Sequence, residues 1–384
     1  MKEQKDKNLI VCASIAYMED RVRLNKLKEV FETNKTQYTF WGWRRTDEIK
    51  SKNYIVKHLW TGGGFSSKKL FLHYPIWILM VFINSFKLSS KDTIYAVSLD
   101  VALPIYLGSF FKNYNYIFDN PDNFSLTYNL TGFSKWVIDK VESKVAKKSL
   151  YHILPDGSRF EENHTNLVIL PNFPLESEIQ KAKKIYASGF LDEFELAKIT
   201  NDKRFKIYIN GRMVKHRGSE WISKIFKDLD EDKFLIIVAG NIYCNKLETT
   251  LSELSNVIRF ERLENYKALS LYYCSDLVFA FYDPILPINR KAAANKWWDC
   301  VVCEVPFVSN TEVETLKLFN DYNACFSVEY GKSDALISLL NELEENRRKL
   351  LQVKENLTSL STYSWGDRMD EIINISLSTN KEQK

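Results

Sequence analysis

Between Asp276 and Asn310 the chain reads DLVFAFYDPILPINRKAAANKWWDCVVCEVPFVSN, and this stretch restricts the fold more than any other. Its first part, 277–281, is an apolar run of strand length without polar alternation, the pattern of a strand buried on both faces. Asp283-Pro284 breaks the run and opens a charged loop through Asn289, Arg290 and Lys291. Asn295-Lys296 then leads a helical segment over 297–303. Glu304-Val305-Pro306 ends that segment before a second apolar strand at 307–309. Strand, loop, helix and strand make one βαβ unit, which belongs to a parallel sheet with helices packed on it. Ligands of such open sheets lie at the carboxyl ends of the strands. The unit therefore predicts that Asp283, Arg290, Lys291, Asn295, Lys296 and Asp299 surround one crevice.

The rest of the chain repeats the pattern. Residues 8–16 read as a buried strand, and Val22, Leu24, Leu27, Val30 and Phe31 follow at helical spacing, the usual start of a doubly wound domain. No G-x-G-x-x-G accompanies them, which argues against NAD or FAD. Further strands are expected at 37–42, 54–60, 92–98, 114–118, 151–154 and 167–170, with a long helix over 134–148. After a charged segment with helical periodicity, a second series begins at 205–209, 234–240 and 257–260. With 384 residues, 45% of them apolar, there is enough chain for two full cores. The expected domains are 1–173 and 205–362, joined by a linker over 174–204.

Several classes are disfavoured. A net charge of +4 is too slight to imply nucleic acid, and the Lys-rich ends also contain Glu, as frayed termini do. The first apolar run is too short for a secretory signal. Cys12, Cys244, Cys274, Cys300, Cys303 and Cys325 lie in or beside apolar segments, which suits reduced, buried thiols in a cytoplasm. The lone C-x-x-C of Cys300 and Cys303 has no second pair, and the five histidines lack ligand spacing. Asp228-Leu229-Asp230 spells D-x-D but reads as a solvated turn, so neither a metal nor a cofactor is expected. Segment 71–86 is the most apolar of the chain. Its sixteen residues include His73, Pro75 and Asn84 and fall short of the ~20 that a membrane span needs. With Lys68, Lys69, Lys87 and Lys91 around it, the segment is either a core helix or a helix resting on a membrane surface. Just before it, TGGGFSS at 61–67 is an anion-contacting loop, an acceptor-contacting loop or simply a mobile one.

Two stretches carry a family resemblance. Asn295-Lys296-x-x-Asp299 before V-P-F-V-S resembles the nucleotide-sugar motif of GT-B glycosyltransferases, in particular the family-4-like enzymes, which read N-K-x-x-E-x-x-x-x-G-x-P. Here Asp299 replaces the glutamate and Glu304 the glycine. Lys291 stands where the family has its first acid. Gly211-Arg212-Met213-Val214-Lys215-His216-Arg217-Gly218 resembles the family's G-R-x-x-x-x-K-G loop, with Arg217 in place of lysine. The physics of that loop is independent of the family. Glycine permits close approach, two guanidiniums five residues apart can each bond diphosphate oxygens, and the following helix offers N–H groups. Fainter echoes lie elsewhere. Asp100 and Asp119 resemble strand-end aspartates of the family's H-x-H-D and D-x-H-E segments, without the histidines. Asp20-Arg21 resembles the acid-then-arginine entry to the first helix. For each of these acids, capping of a local turn is the competing reading. Tyr363-Ser364-Trp365 resembles the segment that crosses back to the first domain.

The resemblance implies an α/β chain of the GT-B class, two doubly wound Rossmann-like domains facing a central cleft, with the helix 363–384 crossing back. It implies a glycosyltransferase of hexosyl type in polysaccharide biosynthesis, moving a sugar from a nucleotide-diphosphate donor to a hydroxyl of a growing, lipid-linked bacterial glycan, without metal and with retention. Arg212, Arg217, Asp100 and Asp119 become the catalytic candidates. Gly211, Asn241, Asp283, Asn295, Lys296 and Asp299 are the donor-binding candidates, and Asp20 and Arg21 lie on the acceptor side. Expected partners are donor, glycan and a membrane surface, not nucleic acid, and the expected place is the cytoplasm or the inner face of the plasma membrane. A nucleotide-sugar epimerase of the same fold and a non-catalytic nucleotide-binding module are the alternatives.

Overall fold

The computed structural model describes residues 8–160, 162–360 and 362–379; the Lys-rich ends, including the last residues of the helix expected over 363–384, lie outside these. The chain forms two compact units, one running to Pro171 and resuming at Trp365, the other spanning Asn172–Ser364. In the first, β1 (Asn8–Ala13), β2 (Tyr38–Arg44), β3 (Ile55–Thr61), β4 (Asp92–Val97), β5 (Asn115–Asp119), β6 (Tyr151–Leu154) and β7 (Leu167–Ile169) form one sheet. Their order is β3-β2-β1-β4-β5-β6-β7, and every ladder is parallel. Val11 on β1 registers with Phe40 on one side and Tyr95 on the other. Every residue of β4 is buried, and its apolar part over 94–97 has the pattern of a strand covered on both faces.

The apolar segment read at 71–86 is the helix Ser67–Ser85. One of its faces enters the core. There Trp77 is fully buried and stacks on Trp43 with ring centroids 5.8 Å apart, and Val81 beside it contributes about 1.5–3 kcal/mol by burial. The other face leaves Leu72, Leu79 and Ile83 exposed. Among the described residues no helix is long and apolar enough to cross a membrane. The helix Trp365–Thr379 packs on the helix Val22–Thr33, with the Arg23 and Lys26 charges 5.7 and 5.8 Å from the Trp365 ring centroid.

In the second unit, the stretch expected as a linker holds the helix Glu176–Ser188 and a small antiparallel hairpin, β8 (Phe190–Leu191) with β9 (Phe194–Glu195). Next come β10 (Phe205–Asn210), β11 (Phe234–Ala239), β12 (Val257–Phe260), β13 (Leu277–Phe279), β14 (Phe307–Asn310) and β15 (Phe326–Val328). They form a second all-parallel sheet in the order β12-β11-β10-β13-β14-β15. Helix Ser219–Asp228 turns Trp221, Ile222, Ile225 and Phe226 onto the core formed by Phe205, Ile207, Ile236 and Phe279. Both sheets thus place their first strand between the second and the fourth of their own series. That arrangement leaves a topological switch point at β1/β4 and another at β10/β13.

Candidate functional site

At the second sheet's switch point, β10 ends in Asn210 and Gly211 turns the chain with φ +83°. The turn is crowded. A side chain on Gly240, at φ +128°, would lie 2.2 Å from the Gly211 oxygen, so this position admits only glycine. Just beyond, Met213 N–H bonds the Asn241 oxygen and Tyr243 N–H bonds the Met213 oxygen, both at 2.9 Å. This pairing fixes Arg212 over Tyr243, its guanidinium 4.8 Å from the ring centroid. Asn241, exposed, donates to the Tyr243 hydroxyl at 3.3 Å. Lys215–Arg217 make one 3-10 turn, which Gly218 ends at φ +79°. Helix Ser219–Asp228 then starts without a side-chain cap. The loop after β13 is tied to this turn: the His216 oxygen accepts from Asp283 N–H at 3.0 Å and from Asn289 Nδ2 at 2.8 Å. Arg217 lies 5.9 Å from the centroid of Tyr282.

Helix Asn295–Cys303, also without a side-chain cap, brings Lys296 against the same turn; Lys296 Cε is 3.9 Å from where a Cβ on Gly211 would stand. Among the described residues no carboxylate forms an ion pair with Arg212, Arg217 or Lys296, although Lys215 nearby reaches Glu220 at 3.6 Å. Burial, and then repulsion from Arg217, push the half-buried Lys296 ammonium down to about 7. His216 is lowered as well, by burial and then by Arg217 and Arg212. Uncompensated cations beside two uncapped helix N-termini and a glycine turn are equipped to hold a polyanion.

The remaining donor-side candidates separate. Asp299 is buried and accepts from the Tyr272 hydroxyl at 3.4 Å, and Tyr272 in turn accepts from Asn210 Nδ2 at 3.1 Å. Asn210 Oδ1 is buried without a partner. Asp283 Oδ1 accepts Ile285 N–H at 3.0 Å in a local turn. Arg290, expected at the crevice, instead folds onto its own loop, where Nε donates to the Pro284 oxygen at 2.9 Å. Asp230 accepts the Asp232 N–H at 3.0 Å, and no described trio of His, Cys, Asp or Glu is placed for a metal. Cys300 and Cys303 are buried, and burial holds both thiols above their ordinary value and away from reactive thiolate.

In the first sheet the two strand-end aspartates differ. Asp119 is fully buried, with Arg23 Nε at 2.8 and 3.0 Å and the Tyr95 hydroxyl at 2.7 Å. Arg23 and Tyr95 thus engage both of its oxygens within the core. Asp20 accepts Tyr17 N–H at 3.1 Å, so it caps a short 3-10 turn, and Arg21 beside it is exposed. Asp100 lies in the first turn of the helix Leu99–Gly108, beside the β1/β4 switch point. It is 7% exposed, Ser14 bonds one oxygen, and Oδ2 is buried without a partner. Burial raises its pKa against the opposing pull of Arg21 and Arg45.

No family model matches the sequence, and no curated protein sequence matches it. Solved structures do. Sucrose-phosphate synthase from Thermosynechococcus elongatus superposes with a TM-score of 0.67 at 10% identity, over 97% of this chain and 100% of that one. Anabaena HepE in complex with UDP-glucose gives 0.64 at 11% identity, over 97% and 99%. WaaG, a glycosyltransferase involved in lipopolysaccharide biosynthesis, gives 0.62 at 11% identity, over 95% and 99%.

The fold is GT-B.

Within this GT-B chain several residues of the site have no counterpart in the sequence reading. Tyr243 and Tyr282, the platforms under the two arginines, belong to no motif; an aromatic in each strand-end loop is the only local sign. Tyr272 and Asn210 meet Asp299 from 27 and 89 residues away in sequence, a proximity only the folded sheet creates. In the first unit, the Arg44-Arg45 pair closing β2 is a readable signal of charge at a strand's carboxyl end, whereas the Arg23–Asp119 pair spans 96 residues and is not.

Proposed function

We propose that the chain is a glycosyltransferase that binds a nucleoside-diphosphate sugar at the β10/β13 switch point and transfers the hexosyl group to a hydroxyl of a growing, lipid-linked bacterial glycan. The observation that carries the reading is the convergence of Arg212, Arg217 and Lys296 on one glycine turn, with no carboxylate ion-paired to any of them among the described residues. In transfer, the bond between the sugar and the diphosphate breaks and negative charge grows on the leaving oxygen. Fixed guanidiniums and helix N–H groups stabilise that charge where a metal otherwise serves, so turnover should survive EDTA. Asp299, with Tyr272 behind it, takes the ribose hydroxyls, and Asn241 and Asp283 border the donor. Retention of anomeric configuration follows from the family resemblance, and NMR of the product anomer tests it.

A lipid-linked acceptor places the chain at a membrane surface. Residues 49–91 contain seven lysines and no Asp or Glu. The exposed face of the helix Ser67–Ser85 carries Leu72 and Leu79 at 68% and 53% exposure, and Phe86 beyond its end meets Phe111 with ring centroids 5.7 Å apart. An apolar stripe amid lysines suits peripheral attachment to anionic lipid. The deciding experiment incubates purified protein with UDP-, GDP- and dTDP-sugars, reading thermal shift and released nucleoside diphosphate with and without acceptor. Transfer supports the reading. Conversion of donor alone indicates an epimerase, binding without turnover indicates a binding module, and no shift with any nucleotide overturns the site.

A further inference from the structure

The first sheet carries a paired charge at the end away from its switch point. Helix Ser67–Ser85 leads from β3 into β4 and helix Leu99–Gly108 from β4 into β5, so both finish beside the amino ends of these parallel strands. There Asn84 is only 4% exposed, and its Nδ2 donates to the Met80 oxygen at 2.8 Å, which fixes the direction of the amide. Its Oδ1 accepts from two lysines at once, Lys57 Nζ on β3 at 3.1 Å and Lys87 Nζ at 3.2 Å. Both lysines are exposed, and among the described residues no carboxylate forms an ion pair with either. Lys57, whose ammonium lies 5.1 Å from the Trp41 ring centroid, is lowered by burial and then by Lys87. Two ammoniums on one neutral oxygen repel each other, and an anion between them relieves the repulsion.

The neighbouring side chains narrow the anion. Each of the two helices is followed by exposed phenylalanine and then lysine, Phe86-Lys87 after the first and Phe110-Phe111-Lys112 after the second. Phe86 and Phe111 meet, and Ile83 and Leu107, about one turn earlier, are exposed as well. Apolar tips with lysine heads at their rim suit a surface that dips into a bilayer, rings among the acyl chains and ammoniums at the phosphates. We propose that Lys57, Asn84 and Lys87 form a site for the phosphate of one anionic lipid, a phosphate monoester, while Ile83, Phe86, Leu107 and Phe111 enter the bilayer beside it. Each ammonium has three N–H groups and gives one to Asn84, so both keep donors for a monoester, whose three terminal oxygens outnumber the two of a diester. This inference rests on the peripheral attachment argued above and adds a defined headgroup site to it. Asp100 follows β4, at the carboxyl end of the sheet, so the lipid held here is an anchor and not a sugar acceptor.

Flotation of the full chain is measured with phosphatidylcholine vesicles that carry either phosphatidate or phosphatidylglycerol, matched in zeta potential, at about 0.15 M salt, where surface charges more than about 8 Å apart are screened. Phosphatidate vesicles are expected to bind at least about fivefold more tightly. Lys57→Gln with Lys87→Gln should remove that preference and leave the UDP thermal shift and the melting temperature in place. Lys50→Gln with Lys69→Gln, which takes away the same charge outside the site, should keep it. Equal binding of the two vesicle types overturns the proposal and leaves diffuse attachment standing, and so does equal loss of preference in the two double variants. Full release from phosphatidate by about 1 mM glycerol 3-phosphate assigns the site to a soluble phosphate ester and overturns the lipid. If the unaltered chain floats with neither vesicle, the membrane reading falls and this site with it, so the two failures are told apart.

Discussion

Raising the pH from about 7.5 to about 9.5 removes what is left of the proton on free Lys296 without touching any guanidinium. Its ordinary value is 10.5, and in the folded chain it stands at about 7 because burial and Arg217 both disfavour the charge. A diphosphate held between Arg217 and Lys296 acts the other way. One unit charge at ~4 Å through an effective dielectric of ~20 is worth about 4 kcal/mol, or about 3 pH units, which returns the bound lysine to about 10. At pH 8 about a tenth of free sites and nearly all bound sites are then protonated, so binding takes up about 0.9 proton. UDP affinity should fall about tenfold per pH unit across this range, where the terminal phosphate, with a second pKa of about 6, is already ionised. Calorimetric titration in buffers of different ionisation enthalpy measures the uptake directly. Lys296→Met should abolish uptake and flatten the profile. For the free protein the sign is reversed: between about 7 and 10.5 the unfolded chain holds the extra proton, so stability rises with pH. UDP binding without proton uptake at pH 8 refutes a diphosphate seated against Lys296.

Three other outcomes follow from contacts already described. Asp119→Asn leaves Arg23 buried beside a neutral amide and should lower the unfolding free energy by about 3–5 kcal/mol in urea titrations, with Arg23→Met plus Asp119→Leu recovering most of it; a loss under about 1 kcal/mol contradicts the structural role given to this pair. Tyr243→Leu removes the platform under Arg212 and should weaken UDP binding by about 0.5–2 kcal/mol while Tyr243→Phe does not; equal behaviour of the two variants separates the ring from the arginine. Leu79→Glu with Phe111→Glu should abolish flotation with phosphatidylglycerol vesicles and leave UDP binding unchanged, and unaltered flotation removes this face from the membrane contact.

The fold class was legible because strands covered on both faces need no polar alternation. The apolar runs at 234–240 and 277–281 correspond to β11 and β13, and helical periodicity separates them. Boundaries were less legible. β13 stops at Phe279, and the loop after it holds the one-turn helix Pro287–Arg290, too short to show a period. For the acids, type and position at a strand end were visible, but environment was not. Asp100 and Asp119 read alike in sequence. One keeps an unpartnered oxygen, while the other is closed off by Arg23 and Tyr95, both brought in by sheet topology. The cations were better signalled, since a glycine loop with two arginines has few structural uses, yet nothing local shows that acids stay away from them.

That these cations have no ion-paired acid among the described residues is itself an argument. A chain selected only for stability would pair Lys296 with a carboxylate, relax Ser98, which holds φ +70°, to glycine and satisfy Asp100 Oδ2, since each defect costs folding free energy of roughly 1–3 kcal/mol. All three stand instead at the carboxyl ends of β-strands, beside the two places where strand order reverses. The cores beneath keep to the rules: β4 and β11 are buried throughout. Buried polar atoms without partners occur elsewhere too, Trp77 Nε1 and Asn256 Oδ1 among them, but where such defects gather at a switch point a ligand can complete the bonding. If so, saturating UDP should raise the melting temperature, and inorganic pyrophosphate should reproduce most of the shift, because the deficit at the second sheet is one of anions. A nucleoside that stabilises as well as its diphosphate would place the binding energy elsewhere.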